Sequence, residues 1–159
     1  MVYTPDLSTQ IPKHLHVTCN RGTVLAVGWI EAGRPFSTGV TPRAVVEHLN
    51  EHLAHSKRLR EDSGITVFEA CFCSICWDAG VGNSWDDWAE KRSCPEESAN
   101  IYIPFQEGVY ISPGLVIHYI QEHSYRPPDE FIENVLVCPS PNSEEYKNLV
   151  SEVAPWLCA

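Results

Sequence analysis

Residues 68 to 77 read FEACFCSICW, with Cys71, Cys73 and Cys76 inside six positions, and this cluster restricts what the chain can become more than any helix or strand pattern. Thiols packed that closely end in a disulfide, on a metal, in a reaction, or merely beside one another. The chain has seven cysteines. The number is odd, the chain is not short, and its start, MVYTPDLSTQIP, has neither the basic nor the apolar region of a secretory signal. A disulfide framework is therefore not expected. A cytoplasmic address is the default, and in a reducing compartment clustered cysteines point to a metal site or a thiol with a chemical role.

Cys73 and Cys76 form C-x-x-C, the spacing at which two thiolates reach one tetrahedral zinc from a tight turn. In HYIQEH, His118 and His123 are separated by four residues, within the H-x(3 to 5)-H spacing of the second half of a Cys2His2 site. The two halves make a candidate four-ligand set, with zinc as the expected, structural cofactor. Forty-one residues separate them, far more than a zinc finger's linker, so the site would staple two elements together. Cys71 complicates the set. On an extended strand it shares a face with Cys73, so it can compete as a ligand or replace a histidine in a Cys3His site. Two other readings stay open: reduced, idle core thiols, and redox chemistry. A thioredoxin-like motif needs C-x-x-C at a helix start in a βαβ setting, and the following Trp77, Asp78, Ala79 and Gly80 make a poor helix start. Cys19, Cys94, Cys138 and Cys158 lack partners by spacing and read as structural.

A second histidine pattern lies in HLNEH, where His48, Glu51 and His52 match H-x-x-E-H and His55 extends the face by a turn. The match covers five residues of a His-rich segment. It reads as a half-buried polar flank of an amphipathic helix. No G-x-S-x-G and no phosphate-binding glycine loop is present. The acid pairs Glu96 with Glu97 and Asp86 with Asp87 read as solvated surface. Trp85 and Trp88 could wall a pocket for a small ligand or pack an excursion onto the core.

Apolar residues make up 43% and charged residues 20% of 159 positions, the composition of one globular domain, expected to run from 1 to 159. No apolar run reaches the roughly 18 residues of a membrane span. Eleven basic against twenty-one acidic residues give a net charge of −10, which disfavours nucleic acid. The segments 14–20 and 23–30 read as a hairpin. Thr41 and Pro42 cap and open a long helix whose stripe is Val45, Leu49, Leu53 and Leu59. A buried strand covers 64–72, and 100–105 with 108–112 form a second hairpin. Ser112 and Pro113 open a helix over 114–123, Pro128 starts another, and Ser143 caps a last one reaching Leu157. The expected class is α+β: a small, mainly antiparallel sheet, one long helix and two or three C-terminal helices.

Two stretches carry a resemblance. AVGWIEAGRPFSTGVTPRAVVEHL and YISPGLVIHYIQEHSYRPPDEFIENVL resemble the opening and closing signatures of an uncharacterised family of small bacterial domains. Tyr110, Pro113, His118, Tyr119, His123, Tyr125, Pro127, Pro128 and Phe131 stand at the closing signature's positions. Members carry H-x-C-x-x-C between the two stretches, and Cys71 occupies the histidine position here. The resemblance implies that Cys73, Cys76, His118 and His123 belong to one constellation, and it implies no activity. Three functions remain to be separated: a binding or interaction module with structural zinc, a zinc-dependent hydrolase-type enzyme with Glu69 or Glu122 as base, and a metal-free small-ligand binder. An open coordination position would mark the enzyme.

Overall fold

Residues 3–11, 22–62, 71–79 and 96–155 are described in this computed structural model. Along the chain they form β1 (Thr23–Ala26), α1 (Arg43–Asp62), β2 (Cys71–Phe72), α2 (Ser74–Asp78), β3 (Glu96–Glu97), β4 (Asn100–Phe105), β5 (Gly108–Pro113), α3 (Val116–Glu122), α4 (Asp129–Val137) and α5 (Glu144–Val153). The class is α+β. The expected hairpin of 100–105 with 108–112 is present, with Phe105 opposite Gly108 across a two-residue turn.

The three-stranded sheet is mixed, with one parallel and one antiparallel pairing, in place of the expected, mainly antiparallel one. Its order is β1-β5-β4, with β1 parallel to β5. Residues 14–20, expected to pair with 23–30, lie outside the described residues. Among the described residues, Thr4 and Ser8 bridge antiparallel to Trp29 and Ala26, and β1 forms its ladder with β5. The reason is burial. All six residues of β5 are buried, and period-two alternation sends their side chains to two different cores. Tyr110 joins Ile101, Ile103, Leu49 and Val45 under α1, whereas Ile111 packs with Ala26 and Trp29, and Val109 with Val153 and Ala154. Beside β5, β1 is covered progressively, from exposed Thr23 through half-buried Val24 and Leu25 to buried Ala26. Gly108 makes the approach possible, because a Cβ there would run into the Thr23 backbone oxygen.

Three expected helix boundaries shift for identifiable reasons. Ser112 does not cap a helix: β5 extends through Pro113, which lies opposite Asn100, and the Gly114 N–H goes to the Ala99 carbonyl. The helix then starts at Val116 with no side-chain cap. Thr41 Oγ1 donates to the Tyr125 carbonyl (3.4 Å), and α1 begins two residues later, at Arg43. Ser143 does cap α5, accepting from the Tyr146 N–H (3.1 Å), but the helix stops at Val153 because Pro155 cannot continue it. Glu97, read as solvated, has a side chain only 15% exposed. Its carboxylate accepts from the Ser98 and Ala99 N–H groups and meets Lys57 Nζ at 2.5 Å.

On α1 the apolar stripe holds for Val45, Leu49 and Leu53, while Leu59 is 39% exposed and His52, at 2%, takes a core position. Its ring lies 5.4 Å from that of Tyr146 on α5, and its Nδ1 has no hydrogen-bond partner among the described residues. The expected polar flank is therefore half wrong: His48 and His55 are half-buried, but His52 is core. Burial holds the His52 pKa down at about 4, against an ordinary value near 6.5, with neighbouring His55 and His48 acting in the same direction and Glu51 against it. Between pH 6.5 and 4 the unfolded chain therefore binds the proton and the folded chain does not. Stability should fall as pH drops through that window, by about 3 kcal/mol in full, and change no further on this account below it. Urea unfolding of His52→Leu beside the parent, from pH 7.5 to 4, should show the variant's pH dependence shallower by that amount, since the histidines elsewhere are common to both.

Candidate metal centre

The cysteine turn is built by α2. Cys73 is its N-cap, extended at φ −73° and ψ 107°, and its Sγ accepts the Cys76 N–H at 3.4 Å. One turn of helix thus presents both thiols to the same side. Ser74 Oγ accepts the Ala32 N–H (2.9 Å), fixing the turn to the loop before α1. A helix does begin at the C-x-x-C, at Ser74, although Trp77, Asp78, Ala79 and Gly80 read as a poor helix start. The helix is five residues long and β2 pairs antiparallel with β3, so the setting remains unlike a βαβ redox motif.

The other half comes from the end of α3. His118 lies on the helix and His123 is its C-cap, with its N–H on the Tyr119 carbonyl (3.1 Å). Ser124 follows at φ +53°, a left-handed conformation uncommon outside glycine, and reverses the chain so that the Tyr125 N–H returns to the same carbonyl (3.0 Å). His123 is thereby aimed back along the helix toward His118.

The four donor atoms meet. His118 Nε2 and His123 Nε2 are 3.1 Å apart, and the contacts Cys73 Sγ to His123 Nε2, Cys76 Sγ to His118 Nε2 and Cys76 Sγ to His123 Nε2 are each 3.3 Å. All four lie within 4.8 Å of one another, close enough to hold a metal ion. Zinc bonded to nitrogen at about 2.0–2.1 Å and to sulfur at about 2.3 Å sets tetrahedral neighbours roughly 3.3–3.8 Å apart, a few tenths above the observed contacts. Both imidazole pKa values are lowered. Desolvation leads in each, His123 adds to the effect at His118, and Glu122 opposes it at both. The neutral form, which binds metal, is favoured. Two thiolates would balance a divalent ion's charge, which matters because Cys73 is fully buried. Such a donor set, soft sulfur with imidazole and no carboxylate, suits zinc.

Among the described residues no other group of three or more metal-binding side chains is close enough to share an ion. His48, His52 and His55 do not assemble with Glu51 as a zincin pattern would require. The Cys71 backbone lies in β2, but its side chain is outside the described residues, as are Glu69, Trp85, Trp88, Asp86 and Asp87. Cys138, read as structural, is buried 4.0 Å from the Pro104 carbonyl, with its thiol pushed up to about 12 chiefly by burial.

One contributor had no motif to mark it. Asp6, far away in sequence, accepts on the same Oδ1 from the Gly28 N–H and the Tyr125 O–H, both at 2.8 Å. Burial raises its pKa and the two donors oppose the shift. Gly28 allows this arrangement: its φ is +78°, and a Cβ would stand 2.6 Å from Val116 Cγ2. The network fixes the segment that carries His123. Tyr125→Phe leaves the half-buried carboxylate with one donor fewer and should destabilise the protein by about 1–3 kcal/mol in urea unfolding. A change under about half a kcal/mol would show that the bond is immaterial to the fold.

No curated protein and no solved structure matches the chain. Residues 2–136, a stretch holding all four converging donors, match the family described as Domain of unknown function (DUF7919). The chain belongs to that family.

Proposed function

We propose that Cys73, Cys76, His118 and His123 bind one zinc ion in a closed, structural site, and that the protein is a binding or interaction module which this ion holds in shape. The observation that carries the reading is the convergence of four donors from two ligand pairs with 41 residues between them. Four protein ligands complete a tetrahedron and leave no position for reactive water. The ion would clamp the α2 turn to the end of α3, two short elements of five and seven residues. It contributes folding free energy there.

Of the aromatic residues beside the site, Tyr119 and Tyr125 are fully buried and belong to the core. Trp77 is half-buried, and its ring lies 5.5 Å from that of Phe72, which is 38% exposed. This pair, next to the cysteine turn, is the apolar surface a partner would meet. The enzyme reading asks instead for an open coordination position and a base. Glu122 is exposed beside His123.

Elemental analysis of protein purified without a histidine tag should find one zinc per chain, lost in Cys76→Ser and in His118→Ala together with thermal stability. Zinc retained by both variants would sink the assignment. Cobalt in place of zinc should give intense tetrahedral visible bands that added azide leaves unchanged. A band shift with azide would establish an open position and move the protein to the enzyme reading.

A further inference from the structure

A groove of about 460 Å³ runs between α1 and α5, away from the cysteine and histidine centre. Its lining is His55 and Leu59 from α1, Pro141, and Tyr146, Lys147, Asn148, Val150 and Ser151 from α5. Six of these eight lie beyond residue 136, outside the stretch that matches the family. The volume falls in the range of small-molecule sites, about 300–1,000 Å³.

The walls divide by chemistry. Tyr146 and Val150 are buried at 5% and 1%, and with Pro141 and the 39% exposed Leu59 they make an apolar trough. The polar groups gather along it. Lys147 is the cation of the lining, and Arg58, one residue before Leu59, reaches Asn142 beside Pro141 with Nη2 at 3.4 Å from Oδ1. Burial, and then Arg58, lower the His55 pKa and so favour its neutral form. Among the described residues no carboxylate lines the groove, although acids outnumber bases twenty-one to eleven in the chain. The acid nearest in role is Glu144, paired with Lys147 at 2.6 Å. Both side chains are more than half exposed, so the pair is weak and the ammonium can be shared with a second anion.

We propose that this groove binds a free, medium-chain monocarboxylate, its hydrocarbon tail along Leu59, Tyr146, Pro141 and Val150 and its carboxylate at Lys147 on the Arg58 side. Charge complementarity selects the head group and the apolar trough selects the tail. The site shares no residue with the proposed zinc site, so either assignment stands or falls without the other.

The test is a titration of isotope-labelled, full-length protein with decanoate, decanol and decyltrimethylammonium, each below its micelle concentration, followed by amide resonances. Decanoate should shift residues 55–59 and 141–151 saturably, at least tenfold more tightly than the alcohol, and the ammonium should not saturate. Lys147→Ala should abolish the preference for decanoate over decanol while keeping weak binding of both. Leu59→Glu, at a partly exposed position that tolerates change, should lose decanoate binding while its far-UV spectrum and unfolding midpoint stay near those of the parent. Equal affinity for all three probes, shifts confined to other parts of the protein, or undiminished binding by Leu59→Glu would each overturn the proposal and mark non-specific adsorption of an amphiphile.

Discussion

Tyr125 is the residue on which the rest of the arrangement depends. Its N–H closes the end of α3 on the Tyr119 carbonyl, its hydroxyl donates to Asp6, its carbonyl receives Thr41, and its ring meets Phe36 edge-on with centroids 6.2 Å apart. One fully buried residue, through its backbone and its side chain, therefore joins the N-terminal segment, the start of α1 and the reversal that aims His123. Burial pushes its hydroxyl pKa far up, with Asp6 adding to the shift, so it remains a donor at every pH the fold survives. A buried network of this kind stabilises only when all its members are present, because a missing donor leaves a carboxylate desolvated without compensation.

From that fixed point the candidate metal centre follows with little further strain. The C-x-x-C turn is local and is held by its own N–H to sulfur contact, so its geometry needs only to be delivered to the right place. Delivery comes from the Ser74 bond to Ala32 and from Ile75, Cys76 and Trp77 packing on the main core. The histidine half needs more. The two imidazoles face each other at 3.1 Å only because Ser124 takes a left-handed conformation and Tyr125 is anchored. With both Nε2 atoms unprotonated and both thiols ionised, the forms that bind metal, the four would repel one another around one point. A cation at that point resolves the repulsion, and this is the physical content of the zinc assignment.

The same helix, α1, serves two different neighbourhoods. Its Val45, Leu49 and Leu53 lie in the main core, while His52 and His55 turn their rings to Tyr146 at 5.4 and 5.7 Å. The α1–α5 contact thus contains a buried imidazole whose Nδ1 has no partner among the described residues, next to an open groove. An apolar residue at 52 would pack as well without the acid sensitivity.

How much was legible in the sequence can be argued residue by residue. Cys73, Cys76, His118 and His123 were readable because ligand spacing is set by local geometry: two thiols on one turn, two imidazoles about one helical turn apart. The hairpin of β4 and β5, the Ser143 cap and the proline start of α4 were readable for the same reason, each being decided within about six residues. What depends on distant partners was not. β1 pairs in parallel with β5, 85 residues further along (Thr23 with Gly108), and Ser112 stayed in the sheet because Asn100 lies opposite Pro113. His52 entered the core, and Asp6 joined the segment behind His123, through packing across 94 and 119 residues respectively. The sequence by itself determined which residues are able to hold a metal, since that is a property of side-chain chemistry and short spacing. Only the tertiary structure decided that their donors meet at one point, because convergence requires a buried anchor supplied by residues that no local pattern connects.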